Sequence, residues 1–335
     1  TTNPSKNIAC YHNLIIFTAA KITKETMLAN FLNKSKPINF IGLLILFLIG
    51  FLFTVFSAFF VDSFTSDTFI KSINLLLLFI LVFFVYNFII SKNKLTHDNS
   101  FAYYFFTLLT MCFLQELMEY QTLILATIYL LFIRKLYSLR SSKKVLEKLF
   151  DSGFWLGILC ILEPLTIVLF LLIYIASYLH KKITIHTLLV PIIGFITPIF
   201  LYFTYFFWFD KTEEFTNNFD FSIHFDAQFY ANSKFFWVFT CLLIFTILSI
   251  FFKSIRALSV NNTFRKNWIL IITNFIILLT FLFCIPEKNG SEIIYILFPT
   301  SIILANGVEL INKRIFKNIV LYFFLISGLS ICFLL

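Results

Sequence analysis

The feature that most constrains this chain is the recurrence of apolar runs too long for a soluble core. They are Ile38 to Val61, Ile73 to Ile90, Thr187 to Trp208, Phe235 to Phe252, Trp268 to Ile285, Ile293 to Gly307 with its flanks, and Ile319 to Leu335. A bilayer's hydrocarbon core is about 30 Å thick, so about 20 apolar residues in a helix rising ~1.5 Å each suffice to cross it. Hydrophobic residues make up 60% of the 335 and charged residues only 13%, against about 45–50% and about 25% in ordinary globular domains. The sequence predicts an all-α integral membrane protein.

The stretch from Phe101 to Tyr178 differs from the rest. It holds four shorter apolar runs, Phe101 to Leu114, Leu123 to Ile133, Phe154 to Leu162 and Leu165 to Tyr178. Read as two short helical hairpins turning at Gln115 to Gln121 and at Glu163-Pro164, they bring the expected total to about 11 hydrophobic segments, with a range of 9–11. Lys and Arg stay on the cytoplasmic side of bacterial membranes. With a cytoplasmic N-terminus, 22 of the 26 Lys and Arg fall inside and 12 of the 17 Asp and Glu fall outside. The net charge of +9 then follows from topology and contacts with anionic headgroups, and no nucleic-acid partner is needed to explain it.

Heavy use of Phe, with 49 copies, and of Ile, Lys and Asn, all with AT-rich codons, suggests an AT-rich bacterial genome and hence a bacterial inner membrane. Residues 1–26 contain only the short apolar run Leu14 to Ala20, neither a spanning helix nor a signal-peptide layout. They are expected to be a non-structural extension, and 27–335 a single polytopic transmembrane domain. The stretch SSKKVLEKLFDSGFW separates an apolar face (Val145, Leu146, Leu149, Phe150) from a charged one, which predicts a short helix lying in the cytoplasmic interface.

Chemistry is sparse. The sequence has no Walker loop, GxGxxG, GxSxG or HExxH motif, and only eight glycines with which to build phosphate cradles. The cysteines show no CxxC pairing. Beyond His12, the histidines divide between the cytoplasmic side (His97, His180, His186) and the external side (His224), so no metal site and no cofactor are predicted. Carboxylates carry the expectation instead. Asp62 and Asp67 in the first external loop, Glu116 in the second turn and Glu163 in the third are candidate catalytic residues. Glu119, Asp220 and His224 are candidate binding residues. Glu163 stands out because its flanking apolar runs are short enough to set it at membrane depth, where ionisable groups are costly and often functional. Asn74, Asn87, Asn274 and Asn306 are expected to hydrogen-bond between helices. The segment NNFDFSIHFDAQFY, Asn217 to Tyr230, alternates as a half-buried strand would, yet also places Phe221, Phe225 and Phe229 in one helical stripe. An open strand edge cannot lie in lipid, so an interfacial helix over the external helix ends is expected.

Four stretches carry a family resemblance: MLANFLNKSKPINF, IRKLYSLRSSKKVLEKLFDSGFW, VPIIGFITPIF with Pro191, Gly194 and Pro198, and EIIYILFPTSIILAN with Pro299 and Asn306. In these the chain from Met27 onward resembles a family of polytopic bacterial inner-membrane proteins of unknown function, some labelled carotene monooxygenase. That label fits poorly with histidines split across the membrane. A looser likeness is to polytopic glycosyltransferases that use lipid-linked sugars, which also place an acidic residue after their first helix; the external first loop here is shorter than theirs. The expected function is that of a cell-envelope membrane protein with a periplasmic working face. Three versions stay open: transfer of lipid-linked glycans, a non-catalytic scaffold or assembly factor, and a transporter. Membrane lipids are the expected partners, together with a lipid-linked substrate or envelope proteins.

Overall fold

The computed structural model describes residues 27–59, 65–225, 229–230, 236–257, 262–286 and 288–334. The predicted extension 1–26 and the candidate Asp62 lie outside the described residues. Within them the chain is helical, with no strand. Fourteen α-helices are described: α1 Leu28–Leu32, α2 Pro37–Phe59, α3 Ser66–Asn93, α4 Phe101–Cys112, α5 Leu114–Leu117, α6 Tyr120–Tyr137, α7 Val145–Leu162, α8 Phe170–Leu179, α9 Ile185–Trp208, α10 Thr212–Asn217, α11 Phe236–Ala257, α12 Asn262–Cys284, α13 Ile293–Glu309 and α14 Arg314–Leu334. Among the described residues seven helices are long and apolar enough to cross a membrane, and shorter apolar helices lie at Phe101–Cys112, Pro164–Leu179 and Ile293–Glu309.

The helix starts follow local chemistry. Pro37 opens α2, where its missing N–H costs nothing. Thr65 and Thr184 cap α3 and α9 through reciprocal hydrogen bonds with Thr68 and Thr187, satisfying donors that a helix leaves open at its first turn. Breaks fall where the short runs meet. The helix through Cys112 stops, turns once more over Leu114–Leu117, and restarts at Tyr120. Glu163 is extended (φ −144°, ψ 91°) and Pro164 opens a 3₁₀ stretch to Leu169, since proline disfavours helical backbone in the residue before it.

Three segments differ from expectation. The run Leu123 to Ile133 is the centre of a full-length helix, because polar Tyr120, Gln121 and Thr122 extend it at one end and Arg134 and Lys135 at the other. The amphipathic stretch at 145–151 is no separate interfacial helix: it is the first two turns of α7, continuous with 154–162, because Gly153 meets a neighbouring helix instead of breaking its own. Residues 219–225 are not helical. Asp220 accepts hydrogen bonds from the Ser222 backbone N–H (2.8 Å) and hydroxyl (2.9 Å), a local turn that competes with helix formation.

The core is built on α4 and α13, whose residues are buried almost throughout. α11 and α12 pack on α13, α14 and α2 pack on α4, α6 joins α3 to α7, and α7 pairs along its length with α9. α9, α11 and α14 leave most of their apolar surface exposed, as lipid-facing helices do. Two of the predicted bridging asparagines make long-range contacts: Asn274 donates to the Tyr129 hydroxyl (2.7 Å) and Asn306 to the Leu95 carbonyl (3.2 Å). Asn74 is instead exposed.

Candidate functional site

The helix α12 measures the separation of the two polar ends. Phe264 and Lys266 lie in its first turns and Cys284 at its end, roughly 27 Å from Lys266 at about 1.5 Å per residue. His97 stacks on Phe264 (6.3 Å, 9°), and His180 stands near Lys266, Lys182 and Arg140. At the opposite end the His224 N–H donates to the Cys284 carbonyl (3.2 Å). His97 and His180 therefore stand at the end opposite His224. Among the described residues no group of three or more His, Cys, Asp or Glu could hold a metal ion.

The two ends differ in charge. Around the first stand Lys94, Arg140, Lys253 and Arg256, lining a cavity of about 870 Å³ with Asp98 and Glu309. His180 is kept neutral there, its imidazole pushed down to about 4 by burial and by the cations Lys266, Lys182 and Arg140.

At the second end a cavity of about 210 Å³ is lined by Glu119, Gln121, Glu163, Asn289, Ser291, Glu292 and Tyr295 among others. Three chain breaks converge on it. Glu119 precedes α6, Glu163 separates α7 from the 3₁₀ stretch, and Glu292 precedes α13. Glu292 is buried and has both oxygens engaged: the Tyr230 hydroxyl donates to one (2.5 Å) and the Gly290 N–H to the other (2.9 Å). Burial, and after it the Glu292 carboxylate, pushes the Tyr230 hydroxyl far up, so the phenol keeps its proton and acts as a donor. Gly290 adopts φ +93°, and a Cβ there would stand 3.1 Å from Glu116 Cγ. Glycine at 290 therefore lets the loop close over Glu116. The Tyr295 hydroxyl in the wall is buried with no hydrogen-bond partner.

Of the sequence candidates, Glu119 and Glu163 line this cavity and Glu116 flanks it through Gly290. Asp67 sits exposed in the first turn of α3, where a carboxylate favours the helix N-terminus, and it lines none of the cavities described here. Asp220 and His224 are exposed. Hydrogen bonds from Ser222, and to a lesser degree His224, hold the Asp220 carboxyl below the usual range. His224 approaches the cavity through its own main chain, its N–H donating to the Cys284 carbonyl and its carbonyl accepting from the Lys288 ammonium (3.5 Å). Sequence reasoning missed Glu292, Tyr230 and Tyr295. The available signal was Asn289-Gly290-Ser291-Glu292, a turn sequence directly before an apolar helix, the same setting that singled out Glu163.

No curated protein and no solved structure matches the chain. The sequence model of a family of unknown function, DUF6427, matches residues 27–334. It spans every helix described above, from Leu28 to Leu334, and this chain belongs to that family.

Proposed function

We propose that the protein is a multi-pass inner-membrane protein of the bacterial cell envelope. Its N-terminus is cytoplasmic, about eleven segments alternate through the bilayer, and the carboxylate-lined cavity opens to the periplasm. Within that frame it transfers a lipid-linked glycan to a hydroxyl acceptor. The observation that carries this reading is the convergence of Glu119 and Glu163, from separate chain breaks, on one small polar cavity with Gln121, Asn289 and Ser291. Amide and hydroxyl groups of that kind recognise sugar hydroxyls, and a carboxylate within reach of a hydroxyl can take its proton.

In the step itself, the acceptor hydroxyl oxygen forms a bond to the anomeric carbon of the donor sugar. The bond from that carbon to the lipid phosphate breaks, the phosphate leaves with the electron pair, and Glu163 takes the acceptor's proton. Glu119 binds the acceptor, and the buried Tyr295 hydroxyl orients it. Glu292, whose oxygens accept from the Tyr230 hydroxyl and the Gly290 N–H, fixes the loop that walls the cavity.

The test is genetic and chemical. Disrupting the gene should cause lipid-linked glycans to accumulate, as read by mass spectrometry of extracted lipids. Wild-type protein should reverse this, whereas Glu163→Gln, at equal protein level, should lower the transfer rate by about 10²–10⁴-fold, the usual worth of a general base. Full complementation by both Glu163→Gln and Glu119→Gln would sink the enzyme and leave a scaffold.

Orientation has its own measurement. Single cysteines at Gln121 and Asn289 should react with impermeant reagents in cells with a permeabilised outer membrane, and cysteines at Lys94 and Ser141 should not. Labelling at Ser141 would place the carboxylate cavity in the cytoplasm.

A further inference from the structure

We infer that the protein holds a long-chain isoprenoid phosphate, with its phosphate in the basic cavity and its chain in the groove between α11 and α14. This concerns the end opposite the carboxylate cavity and does not rest on the reaction proposed there. The basic cavity, about 870 Å³, falls within the range of ligand pockets, roughly 300–1,000 Å³. Its one buried carboxylate is already neutralised: Glu309 pairs with Lys253 (3.1 Å, both side chains 7% exposed) and accepts from the His97 N–H (3.0 Å) and the Asn99 amide (2.7 Å). Lys94 and Arg140 face the void against exposed Asp98, and Arg256 lines it beside them. Both guanidiniums donate to carbonyls near helix ends, Arg140 to Asn93 (3.0 Å) and Arg256 to Leu310 (3.4 Å). Planar, always-charged guanidiniums fixed in this way match phosphate oxygens. A basic cytoplasmic face alone would scatter cations over loops; it would not gather tethered ones around a cavity of this size.

The tail has a place as well. Arg256 and Leu310 also line an apolar cavity of about 460 Å³, so the two voids adjoin. That cavity in turn shares Phe245 and Phe324 with a second one of about 290 Å³ reaching Trp237. Together they form a groove with α11 and α14 as walls and α4 and α13 as floor, constricted where the rings of Phe245 and Phe324 meet at 5.2 Å. From Trp237 to Arg256 the helix rises roughly 28 Å at about 1.5 Å per residue. A phospholipid acyl chain occupies one leaflet, roughly half of a 30 Å core, and would fill only half of this groove. An isoprenoid chain long enough for both leaflets fits its length, and a phosphate fits the charge at its basic end.

The experiment uses the full chain in phosphatidylglycerol nanodiscs, titrated with a long-chain polyprenyl monophosphate and read by native mass spectrometry. Saturable binding is expected, weakened on the order of tenfold by Arg140→Gln and by Arg256→Gln, whose side chains are exposed and should not perturb folding. Leu248→Trp should obstruct the groove and lower affinity by a similar factor, whereas Leu189→Trp, on the exposed face of α9, should not. Farnesyl phosphate and inorganic phosphate should bind far more weakly than the long-chain lipid. Binding of inorganic phosphate as tight as that of the lipid would identify a soluble phosphate ligand and overturn the tail assignment. Polyprenyl phosphate retained no better than phosphatidylglycerol, or unaffected by either arginine change, would overturn the site.

Discussion

Replacing Gly153 with valine should destabilise the protein by about 3 kcal/mol, the upper end of the usual cost of overpacking a filled interior. Gly153 and Gly157 stand one turn apart on α7 and face Pro191, Gly194 and Pro198 on α9. A Cβ at Gly153 would fall inside van der Waals distance of the Pro191 carbonyl oxygen and within 2.9 Å of its carbon. At Gly157 it would collide with the Phe195 carbonyl and lie 2.6 Å from Pro198 Cγ, and at Gly194 it would strike the Phe150 carbonyl. The colliding atoms are main chain or, at Pro198, a ring carbon fixed to it, so no rotamer change relieves them and the helices must separate. In lipid, apolar side chains gain nothing by leaving the solvent, and helix pairs rely on close packing of this kind. Gly42→Ala is the control. A Cβ there would meet only Phe31 Cζ at an ordinary 3.7 Å, and alanine is the better helix former by about 0.5–1 kcal/mol. Thermal unfolding in detergent should order the proteins Gly42→Ala at or above wild type, and Gly153→Val well below. Gly153→Val unfolding with Gly42→Ala would mean that the α7 and α9 contact contributes little.

That contact shows where sequence reading runs out. The positions of the long helices could be read because lipid demands a fixed length of apolar residues, and Glu163-Pro164 marked a break. The continuity of α7 could not. Its first turns carry Lys144, Glu147, Lys148 and Asp151, and amphipathicity alone cannot distinguish a helix lying on the membrane from the polar entrance of one that runs inward. What decides is Gly153 meeting Pro191, a tertiary contact about 40 residues distant. The stretch at 219–225 failed for a related reason. Its Phe spacing suits a helix, but Asp220 captures Ser222 and the backbone pairs at Cys284 instead. For the site, charge sign alone located Glu116, Glu119 and Glu163 at one end. Glu292 could be weighted only once its burial and its bonds to Tyr230 and Gly290 were visible. The basic cavity escaped altogether, because positive-inside topology accounts for the same lysines and arginines residue by residue; what that rule leaves unexplained is their arrangement around a void.

Replacing Lys253 with methionine should cost about 3–5 kcal/mol, the usual penalty for stranding one member of a buried ion pair. Both side chains of the Lys253 and Glu309 pair are 7% exposed. Without the ammonium, the Glu309 carboxylate keeps two hydrogen bonds, from the His97 main-chain N–H and the Asn99 amide, with the His97 imidazole Nε2 3.9 Å away. Lys253 also lies over the Phe264 ring at 5.0 Å, a contact that the methionine stem partly replaces, so the loss isolates the charge. One result would identify that cause. Glu309→Gln added to Lys253→Met should recover most of the stability, since a neutral pair avoids the desolvation of two ions. Strict additivity of the two substitutions would show that the pair is not coupled. If the coupling holds, Glu309 carries no net charge into the basic cavity. Among the described residues that line it, Lys94 and Arg140 are then set against Asp98, a balance that favours an anion.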